Sequence, residues 1–363
     1  MPAPDNILLS LVIPCYNEER TLAGTVERCL ALRDRGVTLE LIVVDDCSTD
    51  GSRAVAQALA QQHDAVTLVF HERNRGKGAA LRTGFASARG RYVGIQDADA
   101  EYNPLDYLLL LQPLEQGVAD VVYGSRYLRQ DTRRVLSFWH SWMNRSLTFV
   151  SNMFTNLDIS DMETCYKLFR REVIRELVRE LREDRFGFEP EVTCLVAQRH
   201  YRVYECAISY TPRTFEEGKK IGWRDGVRAL YCILHYGAPK APLPMQLLLY
   251  LFIGSVCAVA NVACFSLFIA GGMALTPAIW TAFLLAAVLN YALCLCILFR
   301  HKARWSAPGE VLAYLVTLAV MGAADNAITH GLIALQVAPV WSKAWSTLLC
   351  FVGNFAFRKF LVF

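Results

Sequence analysis

From Leu243 to Phe299 the chain carries no Asp, Glu, Lys or Arg, a run that a soluble domain of ordinary composition does not contain. The first 240 residues, by contrast, mix charges, glycines and short apolar runs. The hydrophobic content of 54% is thus an average over two unlike halves, and a water-soluble part precedes a membrane part. Four apolar segments follow the stiff Pro239-to-Pro244 stretch, at about Met245 to Ala270, Thr276 to Phe299, Gly309 to Gln336 and Ser342 to Phe357. At about 1.5 Å of helix per residue, each is long enough to cross about 30 Å of hydrocarbon.

Arg300, His301, Lys302 and Arg304 make the second connection between these segments basic, and Arg358 and Lys359 do the same for the last one. The first connection, Gly271 to Leu275, is uncharged. The positive-inside rule then predicts a multi-pass protein of the cell membrane with both termini in the cytoplasm. Met1 to Asn6 lack the basic and apolar regions of a signal peptide, which keeps the soluble half on the same side. Twelve cysteines contain no CxxC pair, and Cys257, Cys264, Cys294 and Cys296 lie in apolar segments, so they read as small buried residues in a reducing compartment. A net charge of +3 is too small to imply nucleic acid. Asp325, Asn326 and His330 interrupt the third apolar segment, where a charge is costly and marks a functional candidate. The alternative is a helix-to-helix hydrogen bond with Asn261, Asn290 or Asn354.

In the soluble half, Leu8 to Pro14, Leu39 to Val44, Val66 to Phe70 and Arg91 to Gln96 read as strands. Thr21 to Leu32, Arg53 to Gln62 and Lys77 to Arg89 read as the helices between them. Apolar, non-alternating strands in βαβαβαβ order predict a doubly wound, mostly parallel sheet. Ligands of such sheets bind beyond the carboxyl ends of the strands, where Tyr16-Asn17-Glu18, Asp45-Asp46 and Asp97-Ala98-Asp99 all fall. Asp97, Asp99 and Glu101 alternate, and in an extended strand such side chains point one way and converge on a cation. The first turn lacks GxGxxG, which counts against a dinucleotide oxidoreductase.

Four ordered stretches carry a resemblance. They are Pro14-Cys15-Tyr16-Asn17-Glu18-Glu19, Val43 to Ser52 with its Asp45-Asp46-Cys47-Ser48, Asn74-Arg75-Gly76-Lys77-Gly78, and Asp97-Ala98-Asp99. The chain from about residue 7 to 236 resembles inverting family-2 glycosyltransferases of the GT-A fold, specifically the polyprenyl-phosphate sugar transferases of the dolichol-phosphate mannose synthase type. Cys47 stands where that family usually has glycine. So does Cys165, in Asp161-Met162-Glu163-Thr164-Cys165-Tyr166-Lys167, where it narrows the pocket. The four apolar segments and the ending Gly353 to Phe363 resemble the small GtrA-type membrane family. The division implied is a GT-A catalytic domain at 1–220, an interfacial helix and hinge at 221–243, and a four-helix transmembrane domain at 244–363.

The resemblance implies roles. Asp99 is the metal-binding acid, with Glu101 as second ligand, and Mg²⁺ or Mn²⁺ suits such hard oxygens. Asp97 and Ala98 contact the nucleotide. Pro14, Tyr16, Glu18, Val44 and Asp46 match positions that hold base and ribose. Lys77 and Glu189 join the donor side, although Glu189 and Glu191 also suit the cap of the next helix, Val192 to Arg199. A lipid monophosphate, with a second pKa near about 6, is already anionic and needs cations rather than a base. Ser125, Arg126, Lys167 and Arg213 are the acceptor-phosphate candidates, and Arg213 and Lys219 belong to a loop that closes over both phosphates. Asp99, Arg126, Arg213 and Lys219 form the catalytic set. Arg133 to Met143 and Trp223 to Tyr236 combine basic and aromatic residues and suit the headgroup layer.

The expected partners are therefore a UDP- or GDP-hexose, a dolichyl or undecaprenyl phosphate and the membrane, with self-association through the membrane domain left open. Two rival readings stand beside this one. A processive polysaccharide synthase needs a QxxRW-like motif, which Gln198-Arg199-His200-Tyr201 does not supply. A lipid-linked sugar flippase would use the soluble half only to sense the nucleotide-sugar.

Overall fold

Leucine and β-branched runs set a sheet at the centre of the first of two compact units, 1–240 and 241–363. The computed structural model describes residues 8–128, 134–212, 222–299, 307–337, 339–357 and 359–360. Strands β1 (Leu9–Cys15), β2 (Leu39–Asp45), β3 (Val66–Phe70) and β4 (Tyr92–Ile95) alternate with helices α1 (Leu22–Leu30), α2 (Ser52–Gln62) and α3 (Lys77–Ser87). All seven residues of β2 are buried, as a strand covered on both faces requires. Leu9 pairs in parallel register with Leu39 on one side and Tyr92 on the other.

Three further strands, β5 (Val121–Ser125), β6 (Lys167–Arg170) and β7 (Val203–Ala207), complete the order β3-β2-β1-β4-β6-β5-β7. Strand β6 runs antiparallel to both β4 and β5. The sheet is therefore mostly parallel, with one reversed strand that the βαβ reading of the first hundred residues does not anticipate. The remaining helices of this unit are α4 (Tyr107–Glu115), α5 (Phe138–Thr155), α6 (Arg171–Val178), α7 (Phe188–Gln198) and α8 (Trp223–Gly237).

Helix α8 is tied to the unit through charge and backbone. Arg228 Nη2 lies 2.8 Å from Glu183 Oε2, and Gln198 Nε2 donates to Tyr236 O at 2.7 Å. Gly237 abuts Phe154 of α5 so closely that a Cβ there would come within 2.9 Å of that ring's Cβ. The outer faces of α5 and α8 carry exposed aromatics: Trp139 is 72% and Trp223 74% accessible.

The second unit holds α9 (Leu243–Ala270), α10 (Leu275–Leu293) with a π turn at Cys294–Phe299, α11 (Ala307–Ala334) and α12 (Pro339–Phe357). Among the described residues α9 is the one helix of at least 18 residues apolar enough to span a membrane, with mean hydropathy 2.2. Tyr250 of α9 packs on Phe351 and Phe355 of α12, at 5.1 and 5.5 Å between centroids. Asn290 donates to Cys257 Sγ at 3.6 Å, joining α10 to α9. The side chains of Asp325 and Asn326 lie outside the described residues.

Candidate active site

The strand ends of β1, β2 and β4 open into a cleft of about 780 Å³ in the first unit. The turn after β1 is laced to the turn after β2: Asn17 N–H donates to Ser48 Oγ at 3.0 Å, Glu18 N–H to Ser52 Oγ at 2.7 Å, and Thr49 N–H to Asn17 Oδ1 at 2.8 Å. Both turns need left-handed backbone, at Asn17 (φ 54°) and at Cys47 (φ 61°). That conformation is why glycine is the usual residue at the Cys47 position.

Pro14, Tyr16, Glu18 and Asp46 line this end of the cleft. Asp46 is almost fully engaged. It accepts from Arg75 N–H at 2.9 Å and Gly76 N–H at 2.6 Å, and His71 Nδ1 lies 2.7 Å from its Oδ1. Three of a carboxylate's roughly four acceptor positions are thus committed to holding the loop that leads into α3. Gly76 makes that loop possible: its φ is 95°, and a Cβ would collide with the Asp184 carbonyl. Val44, assigned to the base, lies at 0% exposure in the core of β2 and is not part of the cleft wall.

Strand β4 stops at Ile95, and Ala100 takes left-handed backbone at φ 63°. The three acids therefore occupy a turn, and strand alternation is not what arranges them. Asp97 turns to Lys77, whose Nζ lies 2.9 Å from Asp97 Oδ1 and 3.1 Å from Glu189 Oε1. Burial by itself lowers the Lys77 pKa, but the charges of Asp97 and Glu189 raise it well above the ordinary lysine value, so the ammonium persists. Asp99 and Glu101 line the cleft beside them, and Tyr210 donates its hydroxyl to Glu101 Oε2 at 2.6 Å. Among the described residues no three His, Cys, Asp or Glu groups form a metal cage. Asp99 and Glu101 are two hard oxygen donors that could hold a cation whose remaining shell came from a bound diphosphate and water.

Arg126 also lines the cleft, its guanidinium 5.2 Å over the ring of Tyr210, the residue whose hydroxyl meets Glu101. Its Nε and Nη2 fork onto Asp161 at 2.7 and 2.8 Å. The other two acceptor-side candidates are turned away. Ser125 is fully buried: its hydroxyl meets Ser160 Oγ at 2.6 Å and accepts from Tyr127 N–H at 3.1 Å, which makes it the cap of a turn. Lys167 is also fully buried, donating to the Met162 carbonyl at 2.8 Å and to that of Thr164, beneath the Tyr123 ring. Neither lines the cleft. Arg213 and Lys219 lie outside the described residues.

Glu191 accepts from the backbone N–H of Arg182 and Glu183, both at 2.8 Å, and so holds the loop before α7 rather than any sugar. The cleft also exposes side chains that the motifs did not single out: Glu163, Tyr102, Arg185 and, on α5, His140. Glu163 sits inside the Asp161-to-Lys167 segment, and the signal that was available for it is an acid flanked by Met162 and Thr164-Cys165. Cys165 lines the cleft wall, as its place in a glycine position implied.

The "Glycosyl transferase family 2" model matches residues 10–178, and the "GtrA/DPMS, transmembrane domain" model matches residues 249–363. A dolichyl-phosphate beta-glucosyltransferase of Drosophila melanogaster is 32% identical over 217 residues, covering 56% of this chain and 67% of that protein. The chain belongs to glycosyltransferase family 2. A second family-2 relative, an undecaprenyl-phosphate 4-deoxy-4-formamido-L-arabinose transferase of Pseudomonas aeruginosa, is 34% identical over 176 residues. Those residues are 47% of this chain and 49% of that protein, so the chain spans about half of that relative and about two thirds of the fly protein. Among solved structures, glucosyl-3-phosphoglycerate synthase from Mycobacterium tuberculosis, in complex with Mn²⁺, UDP and phosphoglyceric acid, superposes with a TM-score of 0.50 at 19% identity. That match covers 65% of this chain and 79% of the synthase, and it supports the GT-A fold of the family-2 unit. The GtrA/DPMS match makes this family-2 glycosyltransferase a membrane protein.

Proposed function

We propose that this glycosyltransferase moves a hexose of the glucose class from a nucleoside-diphosphate sugar, UDP-glucose in the first instance, to a polyprenyl phosphate, with inversion at the anomeric carbon. The observation that carries the reading is one cleft with two chemistries. Its lining combines a charged set, Asp99, Glu101, Asp97 and Lys77, with an apolar set, Trp139, Met143 and Leu147 of α5 and Trp223 and Ala229 of α8. A nucleotide diphosphate suits the first and an isoprenoid chain the second. The activities named for the fly and Pseudomonas relatives, both transfers to a polyprenyl phosphate, support it.

Asp99 and Glu101 would hold a divalent cation, Mg²⁺ or Mn²⁺, which when bound neutralises charge on the departing diphosphate. The chain's own residues do the rest. Lys77 keeps a fixed positive charge beside Asp97 and Glu189 and so orders the donor end. Arg126 is presented by Asp161 along its Nε–Nη2 edge, which leaves the Nη1 edge to meet the acceptor phosphate. Because that phosphate is anionic, the attack needs no general base, only alignment and charge screening. Arg213 and Lys219 are proposed to add cations at the same place.

The exposed aromatics of α5 and α8 are proposed to rest in the headgroup layer, the second unit to cross the bilayer four times, and both termini to face the cytoplasm, with the division at 220 and 243 described above. The test is a panel of UDP-glucose, UDP-galactose and GDP-mannose offered with metal and polyprenyl phosphate and scored by lipid extraction. Label that stays in the aqueous phase with every donor sinks the proposal.

A further inference from the structure

Two carboxyl oxygens of the cleft-lining acids Glu163 and Glu189 are satisfied by nothing among the described residues. Glu163 Oε1 and Glu189 Oε2 are both shut off from solvent and accept no hydrogen bond among the described residues. Buried polar atoms in folded proteins are nearly always paired, so two orphans on residues of one cleft mark a place for a ligand's polar groups. They reach it from separate elements, Glu163 from the turn before β6 and Glu189 from the first turn of α7.

The surrounding charges distinguish the two. Glu189 has the Lys77 ammonium on its other oxygen at 3.1 Å. Glu163 faces Glu189 and Asp161 on the negative side and Lys167 and Arg126 on the positive side. Both of those cations are committed elsewhere, Arg126 to the Asp161 fork and Lys167 to the carbonyls of Met162 and Thr164. Among the described residues Glu163 makes no ion pair.

We propose that Glu163 is a specificity-determining residue for the donor sugar: its carboxyl and the Glu189 carboxylate together hold ring hydroxyls of the hexose. The proposal rests on the cleft being a nucleotide-sugar site. Burial, reinforced by the Glu189 charge, pushes the Glu163 carboxyl up to about 8, so near neutral pH it carries a proton. A sugar hydroxyl both donates and accepts. A neutral carboxyl that donates, next to a charged one that accepts, meets both halves of that group. Such a site rejects a sugar whose hydroxyl is missing or turned away, because its own buried groups are then left unpaired.

The experiment is calorimetric titration of the full chain in detergent with Mn²⁺, comparing UDP with UDP-glucose for the wild type, Glu163→Gln and Glu163→Ala at pH 7 and pH 9. Glu163→Ala is expected to lower UDP-glucose affinity about tenfold while UDP affinity stays within about twofold. Glu163→Gln, which keeps a donor in place of the acid proton, retains UDP-glucose affinity at both pH values, whereas the wild type loses it at pH 9. If Glu163→Ala shifts UDP and UDP-glucose alike, or shifts neither, the inference is overturned. The same holds if Glu163→Gln behaves like Glu163→Ala at pH 7. A wild type that binds no UDP-glucose overturns both this inference and the choice of donor. A wild type that binds it but glycosylates no lipid overturns the acceptor reading alone, and the variants still decide the role of Glu163.

Discussion

Arg126 Nε lies 2.7 Å from Asp161 Oδ2, with the two side chains 6% and 0% exposed, so this cleft-lining cation is aimed by a buried carboxylate. The Arg126 backbone N–H donates to the same oxygen at 3.0 Å, which fixes the chain as well as the guanidinium. Removing the carboxylate leaves a buried charge without its partner, a change that costs about 3–5 kcal/mol in measured cases. Asp161→Ala is therefore expected to unfold at a markedly lower temperature than the wild type. Asp161→Asn, which keeps the shape, is expected to fold but to raise the KM for polyprenyl phosphate more than that for the donor. Equal effects on both substrates would place Arg126 elsewhere in the reaction.

Asp99→Asn removes one of two hard ligands, and loss of a cation's Lewis-acid contribution is worth several kcal/mol, or at least about 10²-fold in rate. Sugar transfer is expected to fall by that much with the protein's melting temperature unchanged. Chelation of divalent cations is expected to silence the wild type, with recovery on adding Mn²⁺ or Mg²⁺. Undiminished transfer by Asp99→Asn would show that Asp99 does not hold the cation.

A carboxyl whose pKa is raised on folding binds more protons in the native state than in the unfolded one. Its contribution to stability therefore falls as pH rises from the unfolded value near 4.5 towards about 8, and is flat beyond. Glu163→Gln abolishes that dependence. The variant's stability relative to wild type, from denaturant titrations at a series of pH values, is expected to rise between pH 5 and pH 8. A constant difference across that window would show that Glu163 does not carry the proton.

Cys47 holds φ at 61°, a conformation that costs a residue with a Cβ about 1–2 kcal/mol and glycine nothing. Glycine's greater freedom in the unfolded chain takes back part of that gain. Cys47→Gly is expected to stabilise the protein by about 0.5–1 kcal/mol, seen as a higher melting temperature. Catalysis is expected to be unchanged, since Cys47 does not line the cleft. A lower melting temperature would mean that the weak thiol contact with the Glu72 carbonyl at 3.6 Å outweighs the strain.

The first four strands and the helices between them were legible because their signals are local: apolar runs of strand length, each ended by Gly, Pro or an acidic turn. That Tyr16, Asp46, Asp97 and Asp99 line one cleft was legible for the same reason, since all sit just past such runs. Strand β6 escaped because its antiparallel slot between β4 and β5 is a pairing choice, made by residues more than forty positions apart. The burial of Ser125 and Lys167 away from the cleft lining was not legible for a related reason. Hydroxyls and ammonium groups bind phosphate or cap backbone with equal ease, and only the surroundings say which.

The sequence by itself determined the two-part chain, the βαβαβαβ succession of its first hundred residues and the acids at the strand ends, because periodicity, hydropathy and turn chemistry act over a few residues. Tertiary structure alone decided what each polar group faces. It turned Asp97 towards Lys77, engaged Asp46 with two backbone N–H groups and His71, buried Lys167 on carbonyls, and left Glu163 Oε1 with no partner among the described residues. The physical reason is that a charge is satisfied by whatever lies within about 3 Å of it, and for Asp97 and Asp46 those neighbours come from segments twenty or more residues away.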